Sequence, residues 1–201
     1  IKENSNTALI QLDANMGSGK GYLVKDLAYN KNVVCVSISD PRRHDDTISK
    51  IKADPNFIKG ENHKLDDCHK IMKIEDYYIN NKTNNKIYFS RLTDKDNTTE
   101  FWTEVALSKL SDEDPFIVLD EADKFGTRFG FRHYIDKGTW GKGGDFFNYM
   151  SKNIITPLDI ILSTFSVLNM SGTLGLIIRE ESIGHFHPSV YVAPIIVIMP
   201  E

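Results

Sequence analysis

The run Ala14-Asn15-Met16-Gly17-Ser18-Gly19-Lys20 constrains the chain more than any other stretch, because of what stands on either side of it. Ala8-Leu9-Ile10-Gln11-Leu12 before it reads as a buried strand, and Tyr22-Leu23-Val24-Lys25-Asp26-Leu27 after it suits a helix. A strand that stops at a glycine-rich turn and feeds a helix aims several backbone N–H groups at one spot, where the helix dipole is also positive. Lys20 adds a point charge for the outer phosphates. The pattern predicts a nucleoside triphosphate cradle made by Asn15, Met16, Gly17, Ser18, Gly19, Lys20, Gly21 and Tyr22. It departs from the full consensus at one place: Gly21 follows the lysine, where a Ser or Thr hydroxyl normally binds magnesium. Taken alone, the loop is equally a tight turn between strand and helix.

A second segment, Pro115-Phe116-Ile117-Val118-Leu119-Asp120-Glu121-Ala122-Asp123, ends an apolar run in paired carboxylates. A buried parallel strand delivers charge in this way to the carboxyl edge of a sheet, where open α/β folds bind ligands. Asp120 is suited to hold magnesium, and Glu121 to polarise the water that attacks a γ-phosphate. By itself the doublet would serve as well as a helix N-cap. With the glycine loop in the same domain, it points to a nucleotide triphosphatase.

Further on, Leu158 to Thr164 reads as another buried strand or apolar segment, followed by Met170-Ser171-Gly172-Thr173-Leu174. The ordered set A-x-x-G-x-G-K, D-E-A-D and S-G-T-L resembles the first RecA-like domain of superfamily 2 helicases and translocases. That family usually has Ser-Ala-Thr in the third motif; here Gly172 keeps both hydroxyls in place and loosens the backbone. The resemblance implies a three-layer α/β/α RecA-like P-loop NTPase domain with a mostly parallel sheet. It implies ATP and Mg2+ as cofactors, with Lys20, Asp120 and Glu121 catalytic, Asp120 on the metal, and Ser171, Gly172 and Thr173 coupling the nucleotide to a DNA or RNA partner. Arg42 and Arg43, after the β-branched run Val33 to Ser39, resemble the family's backbone-gripping motif, though a solvated turn around Pro41 explains them equally. The Met-Gly-Ser-Gly-Lys wording is also similar to that of viral replication and origin-binding helicases. Such engines need a second RecA-like domain, which the 201 residues do not repeat. Together with a start at Ile1, this suggests part of a longer protein.

Two other functions fit parts of the pattern. A nucleotide or small-molecule kinase is favoured by Gly21, since adenylate-kinase-like enzymes also carry Gly-Lys-Gly; it leaves the acidic and Ser-Gly-Thr segments without a role. A scaffold that binds nucleotide without hydrolysing it is favoured by Gly21 and the missing second half.

Alternating apolar runs predict one α/β domain over residues 1–201, with strands near 8–13, 33–39, 86–91, 116–120, 160–163 and 195–199. Helices are expected near 20–29, 45–53, 99–110 and 146–153. The polar stretch 52–85 fits no strong period and reads as an insertion on the rim, with Ile71, Ile74, Tyr77, Tyr78 and Ile79 seating a short helix. A net charge of −4 gives no bulk attraction for nucleic acid, so a local basic track is needed. Arg42 and Arg43, Arg128 and Arg132, or Trp140 between Lys137 and Lys142 are candidates, the last equally a surface loop. Two cysteines build no disulfide framework, and the spacing of His63, Cys68 and His69 does not make a zinc site. No apolar run is long enough to span a bilayer and no signal sequence opens the chain, so an intracellular protein, free or in a virus-infected cell, is expected.

Overall fold

The structure is a computed structural model, and it describes residues 7–13, 17–38, 44–125, 129, 155–171 and 192–198. Its strands are β1 (Thr7–Asp13), β2 (Val33–Ile38), β3 (Phe57–Lys59), β4 (Ile74–Asn80), β5 (Lys86–Leu92), β6 (Phe116–Asp120), β7 (Val167–Ser171) and β8 (Val192–Ile198). Its helices are α1 (Lys20–Leu27), α2 (Asp45–Lys52), α3 (Asp67–Ile71), α4 (Thr99–Leu107) and α5 (Pro157–Leu162).

Among the described residues the strands form one sheet in the order β3-β4-β5-β2-β6-β7-β1-β8. From β5 to β8 every neighbouring pair is parallel, while β3 and β4 add an antiparallel flank. Parallel strands need cover on both faces, which is why β2 is apolar at every position but Ser37 and is buried throughout. Successive side chains alternate between two cores. Val34, Val36, Ile117, Leu119 and Val167 pack with Trp102 and Val105 of α4 and Ile161 of α5. Val33, Cys35, Val118, Leu168 and Met170 pack with Val24 of α1 and Ile51 of α2. The fold is therefore α/β, a mostly parallel sheet with helices on either face.

Two expectations are corrected. Residues 160–163 are not a strand: Ile160 to Leu162 lie in α5, Ser163 is its C-cap, and the strand follows at Val167–Ser171. A short apolar run does not distinguish buried strand from buried helix. The deciding residues precede it: Thr156 Oγ1 accepts from the backbone N–H of Asp159, the Asp159 carboxylate accepts in return from the Thr156 N–H at 2.8 Å, and Pro157 opens the helix. Residues 52–85, in turn, stand at the edge of the sheet and carry regular structure where no strong period is legible. They contain β3 and β4, which extend the sheet through β5, and Ile74, Tyr77, Tyr78 and Ile79 belong to β4 instead of a helix. Tyr77 and Tyr78 point to opposite cores, both buried, so the strand is covered on two sides and loses the polar alternation that would have revealed it. The expected helix at 146–153 lies outside the described residues.

Candidate functional site

β1 runs into the glycine loop, and the loop ends at α1. Gly17 and Gly19 have φ of +82° and +91°, a region that side chains disfavour, and Gly19 caps α1 from that conformation. A Cβ on Gly17 would meet nothing within 4 Å, so the space over the turn is open. Among the described residues no side chain caps α1; in its first turn the Tyr22 N–H donates to the Gly19 carbonyl at 2.9 Å. The Ser18 hydroxyl in the loop is buried and has no hydrogen-bond partner among the described residues. A helix start without a side-chain cap, an open turn and an orphaned hydroxyl fit an anion such as a phosphate chain.

Position 21 has a physical reason to be glycine. The first turn of α2 crosses it, and a Cβ there would stand 3.0 Å from Lys50 Nζ and 3.1 Å from both Asp46 Oδ2 and Thr47 Oγ1. Lys50 is held in place by the Asp46 carboxylate, and its ammonium also lies 4.8 Å from the centre of the Tyr22 ring. Tyr22 itself is exposed, with Lys25 Nζ 5.6 Å from the same ring centre. This corner therefore holds lysine, carboxylate and aromatic where the consensus hydroxyl would be.

The acidic pair ends β6. In the sheet β6 and β1 are both neighbours of β7, so their carboxyl ends lie about 10 Å apart at one edge. Val118, two residues before Asp120, packs in the core of α1 and α2, so alternation puts Asp120 on the face that carries α1. Its charge is felt there: burial chiefly, and the Asp120 carboxylate in addition, push the Cys35 thiol well up. Glu121 follows with φ of +53°, a left-handed conformation that costs a glutamate about 1–2 kcal/mol. Such strain clusters where a side chain must be aimed. The turn is held by the Lys124 N–H, which donates to the Glu121 carbonyl at 2.8 Å.

Gly17, Ser18, Gly19, Lys20, Gly21 and Tyr22 are thus brought to the same sheet edge as Asp120 and Glu121. Ser171 ends β7 between them, opposite Asp13 in register. Asn15, Met16, Arg42, Arg43, Gly172 and Thr173 lie outside the described residues, as do Arg128, Arg132 and the loop around Trp140.

Two buried polar residues were missed. Among the described residues Ser37, on β2, is fully buried with an unpartnered Oγ, and Asn169, on β7, is fully buried with neither amide atom partnered. Leaving such a group unsatisfied costs about 1–3 kcal/mol. The sequence does carry a signal for each: a single polar residue inside an otherwise apolar strand, Val33-Val34-Cys35-Val36-Ser37-Ile38 and Val167-Leu168-Asn169-Met170. Beside the α2 start, His44 lies 3.0 Å through Nε2 from the Ser90 carbonyl, and burial, the largest influence, lowers its pKa.

Asp120 at the strand end offers a divalent cation a carboxylate oxygen, whereas Gly21 offers no hydroxyl. No known protein family, curated protein or solved structure matches the chain.

Proposed function

We propose that the chain is the ATP-binding motor domain of a nucleic-acid-dependent ATPase, with a RecA-like arrangement of its parallel sheet. One observation carries the reading. The strand that feeds the glycine loop and the strand that ends in Asp120-Glu121 flank a third, β7, at one edge, with α1 on the Asp120 side of the sheet. The loop and the carboxylates then stand on either side of the space a triphosphate needs.

In this reading the start of α1 and the Gly17-Ser18-Gly19 turn bind the phosphates, and the Lys20 ammonium neutralises the charge that builds on the outer ones. A magnesium ion would supply charge neutralisation between the phosphates, with Asp120 to hold it. Glu121, aimed by its left-handed backbone, orients the attacking water and takes its proton. In this reading Ser171, which ends the strand between the two halves, senses which nucleotide is bound. The track for DNA or RNA belongs to Arg42 and Arg43, and the partner half of the engine to a second domain.

The test is phosphate release with and without single-stranded or duplex nucleic acid. Stimulated turnover, abolished by Lys20→Ala and by Glu121→Gln, is expected. Turnover indifferent to nucleic acid refutes the motor. Gly21, closed in by α2, favours a second reading: a module that binds ATP without turnover, for which calorimetry would show binding and no phosphate would appear.

A further inference from the structure

The hydroxyl that α1 lacks at Gly21 has a counterpart on the neighbouring strand. In the β2–β6 pairing Cys35 faces Val118 and Val36 faces Leu119, so the next residues along are Ser37 and Asp120. Cys35 and Val118 share the core under α1 and α2, and two residues further along each strand Ser37 and Asp120 emerge on that same face. Ser37 is fully buried, yet its Oγ has no hydrogen-bond partner among the described residues. Folded proteins leave few such groups, and one beside a carboxylate at a sheet edge calls for water or an ion. On the other flank Asp120 faces Met170, which offers a hard cation nothing.

We propose that Ser37 and Asp120 together hold the hydrated divalent cation of the nucleotide site, with the Ser37 hydroxyl doing from β2 what a residue at position 21 does from α1 elsewhere. The assignment rests on the nucleotide reading above. Magnesium keeps several of its waters and binds through one or two protein oxygens, so a carboxylate with a neighbouring hydroxyl suits it, directly or through a bound water. It also explains why α2 is free to close over Gly21: the site does not need that position.

The experiment uses the whole chain and a fluorescent ATP analogue, first in EDTA and then titrated with Mn2+, for the wild type, Ser37→Ala and Ser37→Cys. In EDTA the three should bind the analogue within twofold of one another, because the phosphates rest on the loop. With metal, Ser37→Ala should need about tenfold more Mn2+ for half-saturation, the loss usual when a residue supporting a metal is removed. Ser37→Cys should prefer Cd2+ to Mg2+, a change of metal taste that a merely structural serine would not produce. Melting supplies a check on folding: without metal Ser37→Ala should be at least as stable as the wild type, having lost only an unsatisfied hydroxyl, and with Mn2+ and analogue the order should reverse. An unchanged Mn2+ requirement in Ser37→Ala overturns the inference while leaving nucleotide binding intact. A wild type that binds no analogue under either condition removes the nucleotide reading, and this one with it.

Discussion

Gly21→Ala tests whether the consensus hydroxyl is absent because α2 excludes it. On an isolated helix the change would be favourable by up to about 1 kcal/mol, since glycine is a poor helix former. Here the new Cβ meets Lys50 Nζ at 3.0 Å and Asp46 Oδ2 and Thr47 Oγ1 at 3.1 Å, each closer than ordinary contact. The lysine tip and the Asp46 carboxylate belong to side chains that can give way, but Thr47 is buried and cannot easily do so. Overpacking of this kind costs about 1–3 kcal/mol, so the expected balance is a loss of about 1 kcal/mol, and somewhat more for Gly21→Ser. Urea denaturation should show a lower midpoint at unchanged slope, and the melting temperature should fall by about 2–4 °C for a domain of this size. Lys50→Ala removes the closest of the three atoms, so the double variant should recover about 0.5–1 kcal/mol relative to the sum of the singles. A more stable Gly21→Ala, or a cycle with no coupling, would refute the packing explanation. Gly21→Ser should then not raise ATP turnover, because its hydroxyl arrives together with the displaced α2.

Three further outcomes are expected. Glu121→Gly should raise stability by about 0.5–1 kcal/mol in a thermal melt, since glycine occupies φ of +53° without strain, while phosphate release disappears; a lower melting temperature would show that the turn is not strained. Glu113 is half buried, which by itself would raise its pKa, but His69 Nε2 at 2.9 Å and the Tyr88 hydroxyl, donating at 2.7 Å, outweigh this and hold it below the ordinary 4.5. Because the folded value is the lower one, that stabilisation is present above the ordinary carboxyl range and is lost as pH falls below it. Glu113→Gln should therefore flatten the acid side of a stability–pH curve, and an unchanged slope below about pH 4.5 would exclude this network as its source. Finally, Gly60→Ala would put a Cβ 2.1 Å from the Tyr77 ring, which is stacked on Tyr88 at 5.6 Å, and should cost about 3 kcal/mol in urea; a neutral result would mean that β4 can shift.

Local chemistry was enough to place β1, the glycine turn, α1, β2, β5 and β6. Each is announced by residues acting within a few positions: Gly17 and Gly19 where φ must be positive, and β-branched runs buried on both faces. Tertiary structure decided what short-range pattern could not. The run at 158–164 is helical because Thr156 and Asp159 cap it, and the intervening strand of the site begins only at Val167, two residues after α5 has turned back to the sheet at Phe165. Tyr77 and Tyr78 are strand residues because β5 and two cores receive them, a condition invisible within the polar segment that holds them.

The sequence alone determined the chemistry on offer: a phosphate-binding turn, one lysine, two carboxylates and no hydroxyl at position 21. Which residues stand together was left to the sheet, whose strand order is set by long-range pairing and buried area. That order sets Asp120 opposite Met170, one residue past the Val36–Leu119 pair that brings β2 alongside, and opposes the first turn of α2 to Gly21, because parallel neighbours are chosen by the packing of whole faces and not by proximity along the chain.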